Sequence, residues 1–277
     1  MIGKYKNNII IFYIIAGLSL IISAFVDLKL DIILNNPENP FAIWFRNTGE
    51  IPVYLICPLA GCILFYLCKS KIFKAAGFLI NLGGSAFLGY YICDYFFIDD
   101  KNKIPFGIVF GIGIGLIILM TGKYISVPKS LKKPLIILAI AGISAMLAEI
   151  SIIQILKVLW GRVRFRDLIA AGSYEAFTAW YHPNGINGNM SFPSGHTAGA
   201  GMSYLMMLLP FVSDKWMNRK NLCFIIPLVY TSIVAFTRLV MGAHYLSDVT
   251  MGGALSFTII IITIKIIEEK TVIKEQV

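Results

Sequence analysis

Eight stretches of this chain are long and apolar enough to cross a lipid bilayer, and that pattern constrains the fold more than any other feature. A helix needs about 20 mostly apolar residues to span the hydrocarbon core. Such stretches fall at about residues 9–26, 51–68, 74–96, 104–121, 134–156, 197–213, 222–240 and 247–267. The expected fold is an all-α, polytopic transmembrane bundle. Composition agrees, with 57% hydrophobic and 14% charged residues. Soluble domains carry about 45–50% apolar and about 25% charged residues, so a water-soluble globule and a disordered chain are both excluded. The first stretch is read as a retained signal anchor, because it is long for a signal-peptide core and no small-residue cleavage site follows it.

The loops set an orientation. The formal net charge is +9, which in a membrane chain points to loops facing anionic lipid rather than to nucleic acid. With the amino terminus inside, the inner segments carry Lys4 and Lys6; Lys69, Lys71 and Lys74; Lys123, Lys129, Lys132 and Lys133; and Lys215, Arg219 and Lys220. The outer loops 27–50 and 97–103 hold Asp27, Asp31, Glu38, Glu50, Asp99 and Asp100. Every short inner loop then obeys the positive-inside rule, and both termini are expected in the cytoplasm. One outer loop, 157–196, breaks the trend with Lys157, Arg162, Arg164 and Arg166. Basic residues on the disfavoured side imply a bound anion.

Three polar strings lie at the outer ends of these helices. Pro193-Ser194-Gly195-His196 opens one helix, with Ser194 as its N-cap and free N–H groups that favour anions. Thr237-Arg238 leads to His244 and Asp248, which share a face at four-residue spacing. A carboxylate there can fix the imidazole tautomer and stabilise its cation. Lys157 and Arg164 form the third string. Lys157, Arg164 and Arg238 supply permanent positive charge for phosphate oxygens. Two histidines of opposite role, one attacking and one protonating the leaving oxygen, complete a phosphoryl-transfer site.

Lys157-x6-Arg164, Pro193-Ser194-Gly195-His196 and Arg238-x5-His244-x3-Asp248 resemble the three-part signature of the type 2 phosphatidic-acid phosphatase superfamily, whose membrane members are lipid phosphate phosphatases. The resemblance covers about residues 134–267, and residues 1–125 show only hydropathy. It suggests N-terminal transmembrane helices over 1–125 and a catalytic membrane core over 126–277. It implies that His244 is the nucleophile, His196 the general acid and Asp248 the residue orienting the nucleophile. It also implies that Lys157, Arg164, Arg238, Ser194 and the Gly195 N–H bind phosphate, and that no metal or other cofactor is used. Two positions depart from the family pattern. Phe165 follows Arg164 where the family usually has proline, and Thr237 precedes Arg238 where it usually has serine. Spacing favours Arg164 over Arg162 for the first motif.

The expected activity is hydrolysis of a lipid phosphate monoester or diphosphate (of phosphatidic acid, phosphatidylglycerol phosphate or polyprenyl diphosphate type) through a phosphohistidine. The alternatives are a lipid phosphotransferase and a non-catalytic lipid-binding or transport protein. The expected partners are the lipid substrate and the bilayer, at the outer face of a bacterial plasma membrane. The remaining features belong to no motif. Arg162 and Arg166 read as an interfacial basic cluster touching lipid headgroups, and His182 as a loop residue. Glu149, an ionisable residue inside the fifth stretch, reads either as a functional group or as a hydrogen-bonding group between helices. Gly107, Gly111 and Gly115 mark a close helix-packing face. The five cysteines, without a CxxC pair, read as small apolar core residues.

Overall fold

A computed structural model describes residues 2–96 and 102–275. Asp99 and Asp100 of the expected 97–103 loop lie outside the described residues. Among the described residues there is no strand. In chain order the helices are α1 (Lys6–Leu34), α2 (Pro40–Thr48), α3 (Ile51–Leu67), α4 (Lys71–Phe96), α5 (Lys103–Gly122) and α6 (Lys129–Trp160). They continue as α7 (Phe165–Ala171), α8 (Gly195–Gly201), α9 (Leu209–Val212), α10 (Asp214–Met217), α11 (Lys220–Val240) and α12 (Leu246–Glu275).

Seven helical segments among the described residues are long and apolar enough to cross a membrane, so the chain is an all-α polytopic membrane protein. The remaining expected stretch, 197–213, is helical but divided into α8, a 3₁₀ stretch Met202–Leu208 and α9. Its glycine-rich opening, Gly195-His196-Thr197-Ala198-Gly199-Ala200-Gly201, dilutes its apolar character, and glycine weakens a regular α-helix.

The chain forms two compact units. One comprises residues 51–146 and 207–220. Here α4 packs on α3 and α5 through small residues. A Cβ at Gly111 would run into the Ser85 carbonyl, and one at Gly89 into the Gly107 carbonyl. Gly107, Gly111 and Gly115 are all buried, as the four-residue spacing predicts. Asn81 Nδ2 donates to the Pro58 carbonyl at 2.7 Å and Tyr66 Oη to that of Leu119 at 2.8 Å. These two donors are thus satisfied between helices.

The other unit comprises residues 1–50, 147–206 and 221–277. Its helix α1 lies along α12, with Tyr13 Oη and Thr258 Oγ1 at 2.8 Å and Ser19 Oγ and Thr250 Oγ1 at 2.9 Å. The Phe12 and Phe257 rings pack with centroids 4.0 Å apart. The outer face of α1 stays apolar and exposed at Ile14, Ile21, Phe25 and Ile33, which suits lipid contact. All five cysteines are free.

Candidate active site

The three polar strings meet within this second unit, each at a helix end. Lys157 lies in the last turn of α6 and Arg238 in that of α11, where the helix dipole favours cations. Asp248 lies in the first turn of α12, where it favours anions. Gly161 (φ 55°) and Gly242 (φ 57°) turn the chain in the left-handed region just beyond α6 and α11, a conformation open to glycine. Backbone bonds then tie the strings together. The Ser194 N–H donates to the Asp248 carbonyl at 2.9 Å, Ser191 to Arg162 at 2.9 Å and Arg166 to Gly242 at 2.8 Å.

Ser194 is the N-cap of α8, as its position predicts, its Oγ accepting from the Thr197 N–H at 3.3 Å. Glycine at 195 makes room for the lysine, because a Cβ there would lie 3.0 Å from Lys157 Nζ. Lys157 is in turn within electrostatic range of Arg164, Glu50, Asp248 and Glu149. The structure therefore brings together the sequence-predicted residues Lys157, Arg164, Ser194, Gly195, His196, Arg238, His244 and Asp248.

His244 sits in the loop just before α12, and its Nδ1 is 3.5 Å from Asp248 Oδ2. That same oxygen accepts the Tyr245 N–H at 3.0 Å, half of a capping box at the start of α12. Burial pulls the His244 pKa down to about 3; Asp248 opposes this, while Arg238 and Lys157 add to it. The imidazole is therefore neutral near pH 7, as a nitrogen nucleophile must be. His196 is also held well below the usual histidine range, first by burial and then by Arg238, His244 and Lys157. The carboxylate beside it is Glu50, whose Oε2 is 3.6 Å from His196 Nε2.

Arg162 overturns the sequence expectation. It does not touch lipid headgroups: it is 1% exposed. Its Nη1 donates to Asp248 Oδ1 at 2.6 Å and to Ser247 Oγ at 2.7 Å, and its Nη2 donates to Asp27 Oδ2 at 3.0 Å. Its Nε donates to the Thr178 carbonyl at 2.9 Å, and the Tyr245 ring packs on the guanidinium at 4.1 Å. The physical reason is the pair of buried carboxylates, which need a buried cation. Asp27 and Asp31 are corrected too. They are not in an outer loop but on α1, which runs on to Leu34, and both are buried. Ser191, also missed, donates to Asp248 Oδ2 at 2.5 Å. Arg166 is exposed, as expected, and so is His182. Glu149 is buried near Lys157 and Glu50. The available signal was the acids: ionisable residues beside an apolar span are costly and need partners. Nothing local in the sequence named Arg162 as that partner. Among the described residues, no group of three or more His, Cys, Asp or Glu side chains is arranged to hold a metal ion.

Residues 134–271 match the family described as the PAP2 superfamily. No curated protein and no solved structure matches the chain.

Proposed function

The chain belongs to the PAP2 superfamily, and from that premise we propose that it is a membrane phosphatase that hydrolyses a lipid phosphate monoester or diphosphate through a phosphohistidine. The observation that carries this reading is the His244–Asp248 pair, 3.5 Å apart, set among Lys157, Arg164 and Arg238. Neutral His244 attacks phosphorus through Nε2, while Asp248 stabilises the positive charge that develops on the ring. The phosphorus–oxygen bond to the lipid breaks, and His196, whose protonated form the charge of the bound phosphate and Glu50 favour, gives its proton to the departing oxygen. Water then attacks the phosphohistidine, His196 takes a proton from it, and inorganic phosphate leaves. Lys157, Arg164, Arg238, Ser194 and the Gly195 N–H neutralise the oxygens of the transferring group, the usual way a protein lowers such a barrier. In support, Arg164 Nε is buried with no protein partner among the described residues, and buried donors are rarely left unmatched.

A lipid substrate is supported by a largely apolar cavity of about 780 Å³ in the same unit, within the size range of small-molecule sites. Ile15 and Leu30 of α1 line it together with Thr197, Leu239, Leu246 and Val249. The last four lie within two residues of Ser194–His196, Arg238 and Asp248 in sequence, so an alkyl chain in the cavity ends near the phosphate-binding groups.

The test is release of inorganic phosphate by purified protein from phosphatidic acid, phosphatidylglycerol phosphate and a polyprenyl diphosphate in mixed micelles. We expect release from at least one, abolished in His244→Ala. No release from any of them, or full activity in His244→Ala, would overturn the reading. Transfer of phosphate to an added alcohol without net release would make the protein a phosphotransferase.

A further inference from the structure

We propose that Asp27, on the amino-terminal helix and outside the segment matched to the family, is a positioning residue for the Asp248–His244 pair, acting through Arg162 and Ser247. The inference rests on the reading of His244 as the nucleophile.

The geometry is a closed, buried network. Asp27 Oδ2 accepts from Arg162 Nη2 at 3.0 Å and also from Ser247 Oγ. Its other oxygen, Oδ1, accepts the Ser247 N–H at 3.1 Å. Arg162 spends its Nη1 on Ser247 Oγ and on Asp248 Oδ1. None of Asp27, Arg162, Ser247 and Asp248 is more than 2% exposed. Asp248 is left with Oδ2 for His244, Ser191 and the Tyr245 N–H. One oxygen of Asp248 is thus clamped by Arg162 while the other faces the imidazole.

Charge explains why a second carboxylate belongs there. Arg162 and Asp248 alone would cancel, leaving little negative potential for a histidine that becomes cationic as it takes up phosphate. With an ionised Asp27 bound to the same guanidinium, two carboxylates share one cation, and negative potential is left over beside His244. In a site from which water is excluded, a fixed charge of that kind acts with little screening. The rival role for Asp27 is merely structural: its Oδ1 satisfies an N–H in the first turn of α12, as a capping carboxylate does.

Asp27→Asn separates the two roles, because the amide oxygen still accepts the Ser247 N–H while the charge is gone. We expect kcat to fall roughly 10–100-fold, the range in which second-layer partners of catalytic groups commonly act. KM and competitive inhibition by inorganic phosphate should change little, since Lys157, Arg164 and Arg238 are untouched. The loss should be equal on alkyl and aryl phosphates, because no proton to the leaving group is involved. Wild-type kcat in Asp27→Asn, with His244→Ala inactive, would overturn this inference and leave the phosphatase reading standing. So would a loss shared by kcat, KM and phosphate inhibition, which marks a distorted site. Activity in His244→Ala would sink the nucleophile assignment and the inference with it. Where Asp27→Asn does not yield folded protein, Arg162→Lys decides: it keeps the charge balance but loses the fork that reaches both carboxylates. A kcat in Arg162→Lys equal to wild type would overturn the proposal.

Discussion

His244 meets a carboxylate through Nδ1 and His196 meets one through Nε2, and that difference separates their expected behaviour. General acid catalysis contributes about 10²–10⁴-fold, and its weight grows with the basicity of the leaving oxygen. His196→Ala should therefore lose most activity on alkyl phosphates and visibly less on p-nitrophenyl phosphate, while His244→Ala stays near-inactive on both. Glu50 gives a pH signature for the same group. Arg238, His244 and Lys157 face His196 and oppose its protonation, a backbone hydrogen bond with Arg46 favours it, and Glu50, with Glu149 and Lys157 near it, is the carboxylate 3.6 Å from the ring. Removing that negative charge lowers the affinity of the ring for its proton. In Glu50→Gln the basic limb of kcat/KM on an alkyl substrate should thus move to lower pH, with little displacement on the aryl ester. A limb that stays put or moves up would exclude Glu50 from this role.

At the scale of elements, α4 and α5 approach as closely as glycine allows. A Cβ at Gly111 would meet the Ser85 carbonyl and lie 2.7 Å from Ala86 Cα, both backbone atoms. The same addition at Gly113, two residues on, meets nothing within 4 Å. Gly111→Ala should destabilise by about 1–3 kcal/mol, the usual cost of overpacking, and lower the Tm of the purified protein in detergent. Gly113→Ala should leave the Tm unchanged or raise it slightly, through better helix propensity. Equal effects of the two substitutions would deny that this face sets the helix separation. The short pieces α8, Met202–Leu208 and α9 form the other informative element. On rises of 1.5 Å per α residue and 2.0 Å per 3₁₀ residue they reach about 30 Å when coaxial, enough for a bilayer core.

At the scale of the whole molecule, crossings must alternate. Ser194 is bonded to Asp248, so their strings share one side of the membrane. If Lys220–Val240 crosses, the chain must also cross between residues 196 and 220, and the divided stretch then counts as a span. Cysteine placed at Ser173 or Asn218, both exposed, tests this with the five native cysteines removed. We expect Ser173→Cys to react with an impermeant thiol reagent in intact cells and Asn218→Cys only after lysis. The reverse pattern would put the site in the cytoplasm. Labelling of both from outside would mean that the stretch does not cross.

The membrane class, the helical architecture and the three polar strings that the fold brings together were legible in the sequence, because each rests on local pattern. Span length follows from bilayer thickness, glycine spacing from helix periodicity, and phosphate chemistry from the residue types and spacings of Lys157–Arg164, Ser194–His196 and Arg238–Asp248. The contacts of Asp27, Arg162, Ser191 and Glu50 were not legible. Asp27 and Arg162 are 135 positions apart, and each alone reads as a charge at a membrane interface. Only the fold takes them out of water, and burial converts an ordinary surface charge into one that must find a partner. That pairing across distant segments, rather than any motif, decided which arginine holds Asp248.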